Sequence, residues 1–375
     1  MSGYFTRADN STLNRWWWTV DKWSLGALGA LIAVGALLTY AASPASAGRI
    51  GLDSFHFVRQ QAVLLPAAFA ALIVVSLLSA RSVKRLAVIA FVIAFAATVL
   101  ALAIGPEYKG ARRWLSVLDN SFQPSELLKP TLAVFCAWMV AQARRQAGFP
   151  GTTIAIVATV AVIGLLVAQP DLGMAALIGA IALVQLFVAG ISVVWVGAFV
   201  AVGLAGLTLA YFTLPHVAGR INAFRDPTGA DTYQIDRSLE AFTNGGLFGR
   251  GPGEGTVKAT LPDAHSDFVF AVAGEEFGLI VCLAIVALYA FVVLRGMARM
   301  LKEDNLFVLL AATGLLAGFG LQALVNMASA LRLIPTKGMT LPFFSYGGSS
   351  LLALAVGMGM LLALTRKGAG KVGQV

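Results

Sequence analysis

Apolar residues recur along this chain in unbroken stretches close to twenty long, each bounded by charges, glycines or prolines. That length matches an α-helix crossing the hydrocarbon core of a bilayer. About ten stretches qualify, near residues 24–42, 60–79, 86–105, 127–143, 152–168, 172–190, 193–214, 267–294, 306–329 and 350–365. The runs are continuous and do not alternate, which argues against a β-barrel. The pattern predicts an all-α polytopic membrane protein with about ten transmembrane helices. One polar interruption is long, residues 215–266 between the seventh and eighth helices. A structureless loop of that length would be unusual, and such loops commonly carry function. Its middle, "YQIDRSLEAF", suits a short amphipathic helix on the membrane surface. The expected boundaries are a tail over 1–23, one transmembrane domain over 24–366 and a second tail over 367–375. "ASPASAG" at 42–48 only faintly resembles a cleavage site, so the N-terminus is expected to be retained.

Composition agrees. Hydrophobic residues make up 58% of the 375 and charged ones 12%, with mean hydropathy +0.82, which excludes an ordinary soluble domain. The net charge of +9 does not call for nucleic acid. Its cations gather on one side of the predicted topology: Arg7, Arg15 and Lys22, then Arg81, Lys84 and Arg85, Arg144 and Arg145, Arg295, Arg299 and Lys302, and Arg366, Lys367 and Lys371. Only Asp9, Asp21, Glu303 and Asp304 oppose them there, so this side is expected to be cytoplasmic, with both termini inside. "RWWW" at 15–18 fits an aromatic anchor at the inner interface. Cys136 and Cys282 lie inside apolar runs, which fits neither a disulfide scaffold nor a thiol–zinc site.

Ionisable residues in or at the edge of spans are costly and are therefore candidates for function. In "QPSELLKP", Glu126 and Lys129 are three apart and share a helix face at the outer edge. They form a local ion pair, or Lys129 also holds a carboxylate from another segment ionised. In "YKGARRWLSV", Arg112 and Arg113 offer guanidinium forks for phosphate and Trp114 a face for a sugar; a solvated loop with an interfacial Trp is the plainer alternative. Asp171 in "QPDLG" reads better as a helix N-cap than as a catalyst. "NGGLFGRGPGEG" holds six glycines between 245 and 255 and lets backbone N–H groups approach an anion or a sugar, but no Gly-Lys-Ser/Thr follows to make a P-loop. In "LPDAHSDFVFAVAGEEFG", Asp267 is the last polar group before the eighth span. Desolvation there would raise its pKa and a nearby Lys would lower it, a balance that suits a general base. His265, Ser266 and Asp267 are adjacent, so they form no hydrolase triad. A tight transition-metal site is not expected; a divalent cation, Mg or Mn, stays open as a cofactor. Glu275 and Glu276 lie two turns deeper, with structural or coupling roles.

An outward-facing cleft of carboxylates, arginines and glycines with membrane-buried walls suits a substrate with a phosphate-bearing polar head and a lipid tail. A transferase acting on a lipid-linked sugar and a transporter flipping such a lipid both fit. Transporters place charges near the midplane on broken helices, often within inverted repeats. Here the polar cluster is at one face and no repeat is visible, which favours the transferase.

The motifs "GARRWL", "QPSELLK", "QPDLG", "NGGLFGRGPGEG…K", "LPDAHSDFVFAVAGEEFG" and "PTKGMTLPFFSYGGSS" occur in the order seen in the SEDS (shape, elongation, division and sporulation) family. The chain resembles that family from about residue 20 to 367, and "PTKGMTLP" at 335–342 resembles its division branch. The resemblance implies an inner-membrane peptidoglycan glycosyltransferase with ten transmembrane helices. It would polymerise lipid II at the division septum alongside a class B penicillin-binding protein and other divisome proteins. Carried over by motif, Asp267 is the essential acid, with Glu126 and Lys129 matching the family's Glu and Lys. The implied substrate-binding candidates are Arg112, Arg113, Trp114, His265, Lys258 and Lys337. Departures are Ser266 where Thr is commoner, Arg237 where Gln is usual, and "FTNGG" in place of a run richer in Gly and Ser. A lipid II flippase and a scaffold recruiting the penicillin-binding protein are the alternatives.

Overall fold

The computed structural model describes residues 11–49, 51, 53–108, 110–117, 120–226, 233–336 and 338–366. The tail 367–375, residues 1–10 and Lys337 lie outside the described residues. Thirteen α-helices are found among those described: α1 (Thr12–Thr19), α2 (Lys22–Arg49), α3 (His56–Ser76), α4 (Ala80–Ile104), α5 (Ser125–Arg145), α6 (Gly151–Ala168), α7 (Leu172–Val188), α8 (Val193–Thr213), α9 (Pro215–Arg225), α10 (Tyr233–Gly245), α11 (Val269–Met300), α12 (Leu306–Ala330) and α13 (Gly348–Leu364). A small antiparallel hairpin, β1 (Leu115–Val117) and β2 (Asn120–Phe122), pairs Ser116 with Ser121.

Each of the ten apolar stretches falls on one of these helices. Seven, namely α2, α3, α4, α6, α8, α11 and α12, are long and apolar enough to cross a membrane. α7 and α13 are apolar but 17 residues long. α5 owes its polar content to Glu126, Lys129 and the arginines of its last turn. Helices suit such a chain because each satisfies its own backbone hydrogen bonds where no water is available. α5 and α12 form the centre: α5 packs on α4, α6, α7, α12 and α13, and α12 also packs on α7, α11 and α13. α3 lies along α13. α8 rests on α7 and α9 and leaves most of its apolar side chains exposed.

Two segments are more ordered than the sequence suggests. α1 forms within the expected N-terminal tail: Trp16 is buried and its Nε1 donates to Ser76 Oγ at 2.9 Å, while Lys22 sits over Trp17 and Trp18. The stretch 215–266 is built from α9, α10 and a 3₁₀ turn over Val257–Ala259. α10 does not simply lie on a surface. It packs on α11, burying Ile235, Ser238 and Ala241, and Ser238 Oγ donates to Ala330 O at 2.7 Å.

One end of the bundle is tied together by the basic residues. Asp21 receives Arg295 through two hydrogen bonds of 2.7 and 2.8 Å, with Arg299 at 3.4 Å and Ser24 Oγ at 2.7 Å. Burial alone would push the Asp21 carboxyl up, but these donors outweigh it and hold it below the ordinary carboxylate value. Arg299 also donates to Thr365 O at 2.6 Å, and Arg366 to Leu78 O. The start of α2 and the ends of α3, α11 and α13 are thereby gathered on one side.

Candidate active site

The first turn of α5 follows Pro124, which cannot donate a backbone N–H and tolerates this position. That turn puts Glu126 and Lys129 on one buried face, Lys129 Nζ lying 2.7 Å from Glu126 Oε2. The contact is close, yet Glu126 Oε2 receives no well-directed hydrogen bond. The directed bond from Lys129 goes to Gln322 Oε1 of α12, also at 2.7 Å. Gln322 Nε2 in turn donates to Thr340 O and Thr340 Oγ1 at 2.9 and 3.1 Å. One turn further along α12, Asn326 Nδ2 donates to Asp267 O at 2.9 Å and to Met339 O at 2.6 Å. Lys129 thus meets the Asp267 segment at one remove, through two amides four residues apart on α12 and the 338–341 strap between them. The strap is fixed again by Thr340 Oγ1 to Ser350 Oγ at 2.7 Å and by Leu341 N to Ser345 Oγ at 2.7 Å. Beneath this lattice is a cavity of about 30 Å³, lined by Glu126, Lys129, Gln322 and apolar or small residues of α5, α7, α12 and α13.

Asp267 stands half-buried just before α11. Asp263 adopts a left-handed φ of +52°, which Asp tolerates better than most residues. Its carbonyl then accepts the N–H groups of Ser266, Asp267 and Phe268 at 3.1, 3.0 and 3.3 Å. This tight turn aims the Asp267 side chain at the strap, where a Cβ on Gly338 would lie 3.2 Å from Asp267 Oδ2. His265 stacks on Phe57 of α3 with ring centroids 4.2 Å apart, and its carbonyl accepts Tyr346 N–H at 2.9 Å. Ser345 Oγ donates to Ser266 O. His265 therefore builds the wall beside Asp267.

Burial lowers the His265 pKa, and Asp263 only partly offsets it. The folded protein holds this imidazole neutral below the ordinary His value near 6.5. The unfolded chain then takes up the proton first, so the stabilisation is complete above that value and is lost as pH falls through the folded pKa. Acidifying purified protein from about pH 7.5 to 5 is expected to lower its melting temperature, and His265→Phe, which keeps the stack, should flatten that slope. Equal slopes in the two proteins would remove His265 as the cause.

The two deeper carboxylates have structural work. Glu275 is fully buried and accepts three backbone N–H groups, those of Thr256 and Val257 at 2.8 Å each and Lys258 at 3.1 Å. Glu276 pairs with the Lys258 ammonium, which also donates to Gly253 O at 2.9 Å and Ala41 O at 3.2 Å. The glycine-rich loop is pressed onto α11: Arg250 N and Gly251 N donate to the carbonyls of Glu275 and Glu276, and a side chain on Gly245 would collide with the Gly274 carbonyl. α11 breaks at Gly278, whose φ of +79° favours glycine, and there Leu279 N donates to Gly246 O. Lys258, expected to bind substrate, instead has all three donors engaged in anchoring this loop.

Arg113 is also engaged. Its Nε donates to Gln169 O at 3.0 Å, Nη2 to Pro170 O, and Nη1 lies 3.5 Å from Asp171 Oδ2. Asp171 Oδ1 caps α7 through Met174 N at 3.3 Å. Gln169 Nε2 reaches Thr98 O and Arg112 O, both at 3.1 Å, so the "GARRW" and "QPDLG" segments form one corner. Arg112 keeps an exposed guanidinium 3.6 Å from Glu107, and Trp114 is half-buried beside it in sequence. Geometry thus joins Glu126, Lys129 and Asp267 with His265 beside them, and places Arg112, Arg113 and Trp114 around the Gln169–Asp171 corner. Sequence reasoning missed Gln322 and Asn326. Their signal was available: two amides at i and i+4 inside the apolar run "FGLQALVNMA". No three His, Cys, Asp or Glu side chains converge among the described residues.

Comparison with known proteins follows the same outline. Residues 22–369 match the family model FTSW_RODA_SPOVE, described as "Cell cycle protein". A probable peptidoglycan glycosyltransferase FtsW of Caulobacter vibrioides is 44% identical over 370 residues, spanning 98% of this chain and 95% of that protein. The corresponding protein of Geobacter sulfurreducens is 35% identical over 350 residues, spanning 90% and 93%. Among solved structures, a chain from a peptidoglycan synthase complex that coordinates polymerization and crosslinking is similar at TM-score 0.74 and 28% identity, covering 92% of this chain and 97% of its own. The rod shape determining protein RodA of Thermus thermophilus is similar at TM-score 0.69 and 27% identity, covering 93% and 97%.

Proposed function

The chain belongs to the cell cycle protein family of FtsW, RodA and SpoVE, and from that membership we propose that it polymerises lipid II into glycan strands at the outer face of the bacterial inner membrane, at the division septum, with both termini cytoplasmic. It is a multi-pass membrane glycosyltransferase of peptidoglycan synthesis. Its transpeptidase partner would be a class B penicillin-binding protein, in keeping with the synthase complex that one structural relative belongs to. The observation that carries the chemistry is the lattice joining Asp267, through Asn326, Gln322 and the strap, to the Lys129–Glu126 pair.

In the reaction an acceptor sugar hydroxyl attacks the anomeric carbon of a donor, and the bond from that carbon to the lipid pyrophosphate breaks. The leaving pyrophosphate carries away the electron pair. Asp267 takes the hydroxyl proton as the new bond forms. The bond from Asn326 to its carbonyl fixes the backbone from which the Asp267 carboxylate projects. Arg112, whose guanidinium is exposed, is the better candidate of the two arginines for the developing pyrophosphate charge.

Purified protein given lipid II in detergent is expected to form long strands, with the penicillin-binding protein added where it is required. Detergent has no leaflets, so strands cannot arise from flipping. Absence of strands in both the presence and absence of that partner would overturn the polymerase reading.

The ion pair can be separated from the chemistry. Lys129→Met leaves Glu126 buried without its cation and is expected to destabilise by about 3–5 kcal/mol. Adding Glu126→Gln should restore most of that stability while polymerisation stays low. Full activity in a stable double variant would reduce the pair to a structural role.

A further inference from the structure

The densest charge outside the active site lies where the start of α4 meets the end of α5. Arg81, Lys84 and Arg85 occupy the first two turns of α4, Arg144 and Arg145 the last turn of α5, and the two helices pack side by side. Lys84 Nζ stands 5.2 Å over the Trp138 ring of α5. Arg145, Arg85 and Arg81 lie near enough to repel that ammonium. No ion pair among the described residues involves Lys84, Arg85, Arg144 or Arg145. Topology needs cations on this side, but it does not need them focused around one tryptophan. The like charges of Lys84, Arg85 and Arg145 raise the energy of the folded state, and an anion that joined them would relieve that repulsion.

The surface beside the cluster indicates which anion. Arg85, Ile89 and Ile93 follow one another at helical spacing of four, and Ile89, Val92 and Ile93 are each 60% exposed. An apolar strip therefore runs directly away from the cations. That pairing of a basic head position with a greasy track fits a molecule having a phosphate at one end and acyl chains at the other. We propose that Lys84, Arg85 and Arg145, backed by Trp138, bind the phosphate of an anionic phospholipid of the surrounding leaflet, with its acyl chain along Ile89–Ile93. The site is separate from the glycosyl-transfer chemistry, so either proposal can fail alone. Bound there, the lipid would bridge α4 and α5, and α5 carries Glu126 and Lys129 at its other end.

Native mass spectrometry of the purified full-length protein tests this, with phosphatidylglycerol and phosphatidylcholine as probes. The parent protein should retain phosphatidylglycerol preferentially. Lys84→Gln combined with Arg145→Gln should weaken that retention on the order of tenfold or more, since each cation near a lipid surface contributes appreciably. Lys302→Gln, which removes an exposed cation away from the cluster, should change nothing. Melting temperatures of the three proteins establish that all are folded. The proposal is overturned if the two lipids are retained alike or if the double variant binds phosphatidylglycerol as the parent does. It is overturned equally if millimolar inorganic phosphate displaces the lipid, which would assign the cluster to a soluble anion.

Discussion

Asp267→Asn is expected to abolish glycan-strand formation by purified protein while leaving yield and melting temperature close to those of the parent. The substitution preserves shape and keeps the backbone carbonyl that Asn326 holds. It removes the negative charge and with it the capacity to take a proton. General-base catalysis typically contributes about 10²–10⁴-fold, so the loss should approach the background of the assay. Asp263→Asn is the matched control. That residue is exposed, and Asn tolerates the left-handed φ of +52° as well as Asp does. Strand formation by the Asp267 variant within a few-fold of the parent would remove this carboxylate from the base role. A parallel loss in the Asp263 variant would point instead to the turn as a whole.

Glu275→Ala is expected to be as destabilising as Lys129→Met. Three backbone N–H groups, those of Thr256, Val257 and Lys258, would lose their acceptor, and those of Val257 and Lys258 are buried. Hydrogen bonds to an ionised acceptor contribute more than neutral ones, and an orphaned buried donor carries its full desolvation cost. The expected loss is about 3–5 kcal/mol, enough to cut the yield of folded protein. Glu275→Gln keeps one acceptor oxygen and should fall between. Glu254→Ala, on the exposed rim of the same loop, should be nearly neutral. Thermal unfolding in detergent is the measurement. A Glu275→Ala protein melting within about 2 °C of the parent would mean the loop is not held this way.

Much of this was legible along the chain because the solvent imposes it. A bilayer accepts only long apolar helices, so hydropathy alone located ten of the helices and the polar stretch between α8 and α11. Spacing alone placed Glu126 and Lys129 on one face, since three residues nearly complete a turn. Asp171 as an N-cap followed from its residue type and position.

Partner choice was not legible, because each polar group could satisfy its hydrogen bonds in several ways. Lys258 and Arg113 are cations beside glycines and a tryptophan, which in sequence reads as substrate binding. In space Glu276 and the Gln169–Asp171 corner claim them first. Glu275 and Glu276 read as costly charges within a span until 215–266 folds back on α11 and supplies their donors. Lys129 reads in sequence either as the partner of Glu126 alone or as also holding a carboxylate from another segment. The folded chain puts Gln322 against it and lets Asn326, one turn away, hold the Asp267 backbone.

The sequence by itself determined the membrane class and the helices, because periodicity and burial cost act locally. Only the tertiary structure decided which of the candidate carboxylates and cations among the described residues are already engaged by the protein itself. That outcome depends on which donors and acceptors meet across helices far apart in the chain, and a buried hydrogen bond once made leaves its group unavailable to substrate.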